Sequence, residues 1–169
     1  MAQLPDLTAK AFRPPQVTQF SVFLDNRVGK LGELLQIFEG QPLRIVALSI
    51  ADATDYSVVR LVTTRAGLAR RLLDEQHLPY SETEILVVEL ESDQTLRQVC
   101  LHLLALEVNI RYAYALMIAR PQGGPTIAIH TDDQVLAGQL LRRKLFTLLG
   151  EEDLTSQIGG IDPLDPSSN

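Results

Sequence analysis

The chain has 169 residues, of which 46% are hydrophobic, and a formal net charge of -6 from 15 Lys+Arg against 21 Asp+Glu. Its densest basic clusters, Arg70-Arg71 and Arg142-Arg143-Lys144, lie on helical patterns, so neither nucleic acid nor an anionic membrane is expected as a partner. The single cysteine, Cys100, excludes an internal disulfide and an intrachain thiolate metal cluster. The start of the chain lacks a basic segment followed by an apolar run, and no apolar stretch reaches bilayer length. A cytoplasmic protein is the expectation.

Residues 1–16 carry Pro5, Pro14 and Pro15 without periodicity and read as an N-terminal arm. Val17 to Asp25 is rich in β-branched and aromatic residues, as strands are. The run stops at Asp25-Asn26, and Gly29 opens a helix in which Leu31, Leu34, Leu35 and Phe38 share one face. Gly40, with Pro42 beyond, supplies the stop. Gly29 removes the Cβ barrier to unusual φ and to close approach by a ligand. The free N–H groups of a helix's first turn favour a negative group, so the turn is a candidate carboxylate site.

Leu43 to Ala51 and Tyr56 to Thr63 flank the polar turn Asp52-Ala53-Thr54-Asp55 and predict an antiparallel hairpin. A second helix is expected over Arg65 to Gln76, with Leu68, Ala69, Leu72 and Leu73 inside. Extended chain follows from His77 to Glu91. The order is β-α-β-β-α-β, the split βαβ unit. The second half repeats it. Leu96, Val99, Cys100 and Leu103 take the spacing of Leu31, Leu34, Leu35 and Phe38, and Val108-Asn109-Ile110 falls where Leu43-Arg44-Ile45 fell. A strand ending at Ala119, a Pro121–Pro125 turn, a strand over Thr126 to Thr131, a helix capped by Asp132 or Asp133, and a strand over Leu145 to Leu149 complete it. Domains are expected at 17–82 and 83–149, and 150–169 reads as a flexible C-terminal tail. The fold class is α+β: two tandem ferredoxin-like units, antiparallel sheets with helices on one face.

The motifs Asn26-Arg27-Val28-Gly29, Ala51-Asp52, Val108-Asn109-Ile110 and Tyr112-Ala113-Tyr114, in this order over two halves, resemble those of free-standing tandem ACT proteins. The ACT domain is a small-molecule-binding module attached to many enzymes of amino-acid metabolism. The resemblance covers about Val17 to Leu149. It implies a regulatory, non-catalytic protein that binds an amino acid between two units packed side by side. It also implies a homodimer or higher homo-oligomer and a metabolic enzyme as a possible partner.

In that pattern the β1–α1 turn of one unit and the second strand of the other contact the ligand, with Asn at both places. Half one keeps Asn26 and Gly29 but has Arg44 at the strand position. Half two keeps Asn109 but has the shorter, glycine-free turn Ser92-Asp93-Gln94-Thr95. One composite site is therefore implied, formed by Asp25, Asn26, Val28, Gly29, Lys30 and Leu31 with Asn109 across from them. No metal and no cofactor are implied.

Each of these residues also has a plainer role. Asn26 suits a left-handed turn, Asn109 a strand end, and Asp25 a helix cap. Cys100 reads as core packing, and Tyr112 and Tyr114 line either a pocket or a packed sheet face. His77, His102 and His130 have no further ligands at metal spacing. No nucleophile elbow, P-loop or dinucleotide fingerprint appears, so catalysis is not expected. Two other classes fit the same residues: a regulatory subunit of an amino-acid biosynthetic enzyme, such as that of acetolactate synthase, and a structural interaction protein without a ligand.

Overall fold

Strand β1 (Val17–Asp25), helix α1 (Lys30–Gln36), strands β2 (Ile45–Asp52) and β3 (Tyr56–Thr63), helix α2 (Ala66–Glu75) and strand β4 (Tyr80–Glu89) follow one another in the computed structural model, which describes residues 13–118 and 124–156. Helix α3 (Leu96–Leu104), strands β5 (Ile110–Ala115) and β6 (Thr126–Thr131), helix α4 (Gln134–Arg143), strand β7 (Thr147–Leu149) and helix α5 (Glu151–Thr155) complete the chain. This is the expected β-α-β-β-α-β order, twice. The end of the strand expected to reach Ala119, and Pro121 of the expected turn, lie outside the described residues.

The strands form one sheet in the order β2-β3-β1-β4-β6-β5, with β7 also on β4 and every pairing antiparallel. Strand β4 belongs to both units. Its first half, Tyr80 to Ile85, pairs with β1, and its second half, Leu86 to Glu89, pairs with β6 and partly with β7. It is therefore the last strand of the first unit and the first strand of the second. The boundary between 82 and 83 drawn from the sequence falls inside this unbroken strand.

Alternation along the strands divides the core by face. Phe20, Val22 and Leu24 of β1 pack under Leu34, Ala69 and Leu73 of α1 and α2, and Leu86 and Val88 of β4 pack under Val99, Leu103 and Leu141 of α3 and α4. Tyr80 joins the first of these clusters and is even-numbered like Leu86 and Val88, so α1 to α4 lie on one face of the sheet.

The opposite face is covered by curling. Val46, Ala47 and Val62 from one end of the strand order share a core with Leu116 and Ala128 from the other, together with Ile85 and Val87 between them. The two edges meet where the Met117 N–H donates to the Val46 carbonyl at 2.6 Å.

Helix α1 is shorter than its apolar pattern suggests. From Ile37 to Glu39 each N–H bonds the carbonyl three residues back, which tightens the chain toward Gly40 at φ 70. Of the flexible tail expected at 150–169, residues 157–169 lie outside the described residues, and the preceding stretch is ordered against the core. Helix α5 follows Gly150, its Leu154 is fully buried, and the Thr155 hydroxyl donates to the Thr64 carbonyl at 2.8 Å. A single apolar residue placed against the curled face, with side-chain anchors around it, holds a stretch whose composition is polar. Among the described residues, no helix is long and apolar enough to cross a membrane.

Candidate functional site

The β1–α1 turn is built as the sequence suggests. Gly29 adopts φ 89 at the helix N-cap, a left-handed geometry that side chains rarely take, and its carbonyl accepts the Glu33 N–H at 3.0 Å. Asp25 pairs with Arg27 at 2.6 Å and Lys30 with Glu33 at 2.5 Å. Val28 is fully exposed, and Leu31 is half-buried against the first core. The Asn26 amide donates to Asp52 Oδ1 at 2.9 Å and reaches the Ala53 carbonyl at 3.4 Å, tying the turn to the β2–β3 hairpin.

Beside this turn lies an open cleft of about 290 Å³ between α1 and the α2–β4 connection. Asp25 and Lys30, two of the seven residues singled out from the sequence, line it. Glu33, Gln76 and the apolar Phe23, Ile37 and Leu78 are among the others. The α2–β4 connection was missed because its approach to α1 is set by β4 pairing with β1, far away in sequence. His77, at φ 52 just after α2, is the local sign of the sharp turn that makes that approach. The cleft presents two carboxylates and one ammonium around an apolar floor. That arrangement can hold a small zwitterion.

Asn109 precedes β5, three strands across from β1. Ala113 stands level with Ile129 and Leu86, beside the Ile85–Val17 pair, and Asp25 lies eight residues beyond Val17 along β1, so the register does not bring the turn to Asn109. Its N–H donates to Asp132 Oδ1 at 3.0 Å and its carbonyl accepts the Asp132 N–H at 3.1 Å. Asn109 therefore caps a strand end. Arg44 leads into β2, where its backbone N–H donates to Thr64 Oγ1 at 3.0 Å.

The internal repeat places a second cleft, of about 480 Å³, in the second unit at the corresponding position. It lies between the β4–α3 turn and the α4–β7 connection. Here the turn is closed on itself. Thr95 and Gln98 form a reciprocal capping box, and the Gln94 amide donates to the Leu145 carbonyl at 3.1 Å. Its side-chain groups serve the protein, as those of Asp25, Asn26 and Lys30 do in the first turn.

Tyr112 and Tyr114 belong to a buried polar cluster on the curled face. The amide of fully buried Gln19 donates to the Tyr112 hydroxyl at 2.9 Å, and the Tyr114 hydroxyl donates to Gln19 Oε1 at 2.7 Å. The Arg60 guanidinium lies over the Tyr112 ring, 4.3 Å from its centroid. Burial, then the neighbouring Tyr112, pushes the Tyr114 phenol above its ordinary pKa. His130, 5.0 Å from Tyr112 between ring centroids, is pushed below its ordinary value by burial and by Arg111 and Arg60. This cluster joins the two units, which favours the packing role of the two tyrosines over the pocket role.

Cys100 corrects the sequence reading. It is exposed rather than in the core, because Val99 and Leu103 take the inner face of α3. Among the described residues, no group of three or more His, Cys, Asp or Glu side chains is placed to hold a metal ion.

The family model for an ACT domain pair matches residues 16–158. Among solved structures, protein BT0572 from Bacteroides thetaiotaomicron is 24% identical with a TM-score of 0.75, over 84% of this chain and 97% of that one. The ligand-free regulatory subunit of aspartate kinase from Thermus thermophilus is 10% identical with a TM-score of 0.50, over 76% of this chain and 91% of that one. Both share the fold. No curated protein matches the chain. With nearly all of both repeats inside the matched span and two β-α-β-β-α-β units on one sheet, the chain belongs to the ACT domain pair family.

Proposed function

We propose that this protein is a non-catalytic regulator that binds an amino acid and works as a homo-oligomer, transmitting ligand occupancy to a metabolic enzyme. The proposed site is the β1–α1 turn of the first unit, with Asp25, Asn26, Val28, Gly29, Lys30 and Leu31. One observation carries the reading: in a chain of this family, the left-handed Gly29 turn borders an open cleft lined by the Asp25 carboxylate and the Lys30 ammonium. An amino acid carries a carboxylate and an ammonium in fixed relation, so a site for it needs a cation and an anion close together. Lys30 offers the first and Asp25 or Glu33 the second. The Asn26 amide can both donate and accept. The asymmetry of the repeat supports one site per chain, since the second turn is shorter and has no counterpart of Gly29.

A thermal-shift screen of the twenty amino acids tests this reading, because a ligand that binds the native state raises apparent stability by mass action. Calorimetric titration of the stabilising amino acid then locates the site. Asn26→Ala should weaken binding by about 1–3 kcal/mol through the lost partner of a buried ligand group. Gly29→Val should abolish binding, and Gly67→Val should leave it intact. Equal affinity in all of these variants would move the ligand to another place.

A further inference from the structure

The internal repeat provides its own control for surface chemistry. Leu34, Phe38 and Leu43 of the first unit correspond to Val99, Leu103 and Val108 of the second, and all six are buried, which fixes the alignment at 65 residues. At the same offset, outward positions Gln36, Glu39 and Gln41 correspond to Leu101, Leu104 and Leu106. Every one of these six residues is exposed. The first unit therefore shows water two amides and a carboxylate, where the second shows three leucines at 45%, 68% and 40% exposure. Exposed Cys100 extends the apolar strip. Burial does not explain the difference, since all six positions are exposed. Clustered exposed leucines mark a surface that something covers.

Charges at the two ends of the strip say what fits. Arg97, exposed, stands at the start of α3 on the face of Leu101 and Leu104, at i, i+4 and i+7. Glu107, exposed, stands just past its end. A cation at one end and an anion at the other are self-complementary in a twofold, antiparallel pairing. There each Arg97 meets the Glu107 of the other copy, and the leucines meet in the middle. A twofold axis near residue 102 sets Leu104 of one copy against Cys100 and Leu101 of the other. Such an isologous contact is the commonest way for a chain to form a closed dimer. We infer that the α3 face, centred on Leu101 and Leu104, is a homodimer interface whose occupant is a second copy of this chain packed antiparallel on the same face. This rests on the homo-oligomer of the proposed function and names its surface.

The test uses the full chain, with mass measured by light scattering at micromolar concentration. Wild type should be a dimer. The double variant Leu101→Glu/Leu104→Glu should be a monomer with an unchanged far-ultraviolet circular dichroism spectrum, since both residues are exposed. Gln36→Glu, at the matching site of the first unit, should stay dimeric. Arg97→Glu and Glu107→Arg should each raise the dimer dissociation constant at least about tenfold, a 1.4 kcal/mol change, and together should restore it. A monomeric wild type would overturn both the interface and the oligomeric reading. A dimer that survives the leucine variant would overturn the α3 face alone. Dissociation by the leucine variant without rescue by the charge swap would overturn the antiparallel twofold.

Discussion

The Tyr114 hydroxyl, from β5 in the second unit, donates a 2.7 Å hydrogen bond to Oε1 of Gln19, from β1 in the first. The same glutamine gives its amide to Tyr112 and to Ser21 Oγ, at 2.9 and 3.2 Å, so one fully buried side chain serves three partners across the curled face. Buried amides are tolerated only when satisfied in this way. Replacing Gln19 by leucine keeps the bulk and removes every bond, which strands two phenol hydroxyls in a partly dry setting. Gln19→Leu should lower the unfolding free energy by about 1–3 kcal/mol in a urea titration. An unchanged midpoint would mean that water replaces the amide, and that the cluster does not hold the units together.

Gly29 and Gly67 make opposite predictions for the same substitution. An added Cβ meets nothing within 4 Å at either place, so sterics with neighbours do not decide. Gly29 sits at φ 89, where an L side chain is strained, and Gly29→Ala should destabilise by about 1–2 kcal/mol. Gly67 lies in the first turn of α2 with ordinary helical geometry. Gly67→Ala should stabilise by up to about 1 kcal/mol, chiefly by restricting the unfolded chain. Thermal melts of the two variants should move in opposite directions.

His130 should make stability depend on pH. Its folded pKa is lowered, first by burial and then by the Arg111 and Arg60 charges, and its Nδ1 accepts from the Gln134 amide at 3.0 Å. The unfolded state therefore binds more protons than the folded one below the free-histidine value of about 6.5. The contribution is complete above that value, is lost as pH falls toward the depressed folded pKa, and is absent below it. Urea midpoints should accordingly fall between pH 7.5 and 5. His130→Gln should flatten that part of the profile relative to wild type, and a parallel profile would assign the dependence to other groups.

Asp132 and Asp133 are adjacent and do different work. Asp133 caps α4 by accepting the Leu136 N–H at 2.9 Å, while Asp132 holds the Asn109 N–H. Asp133→Ala should cost about 1 kcal/mol of global stability. Asp132→Ala should act mainly on the start of β5, read as faster amide hydrogen exchange at Asn109 with a smaller change in the melting temperature.

The sequence by itself determined the elements and their duplication. Apolar periods of two and of 3.6, Gly29 and Gly40 at the ends of α1, and the matched pairs Leu34/Val99 and Phe38/Leu103 depend only on chain-local geometry, and they put the strands and helices close to where they stand. Its choice between Asp132 and Asp133 stayed open because either could reach a free N–H of the same turn. What the tertiary structure decided concerns pairing between distant segments. One strand, β4, serves both units, because Tyr80 to Ile85 finds β1 and Leu86 to Glu89 finds β6. The cleft beside Gly29 takes Gln76, Leu78 and Pro79 of its wall from the α2–β4 connection for the same reason. The burial of Leu154 and the meeting of Gln19 with Tyr112 and Tyr114 likewise follow from how the sheet curls, and the exposure of Cys100 from α3 packing Val99 and Leu103 against the sheet. Periodicity tells which side chains share a face. Only the closure of the face tells what they touch.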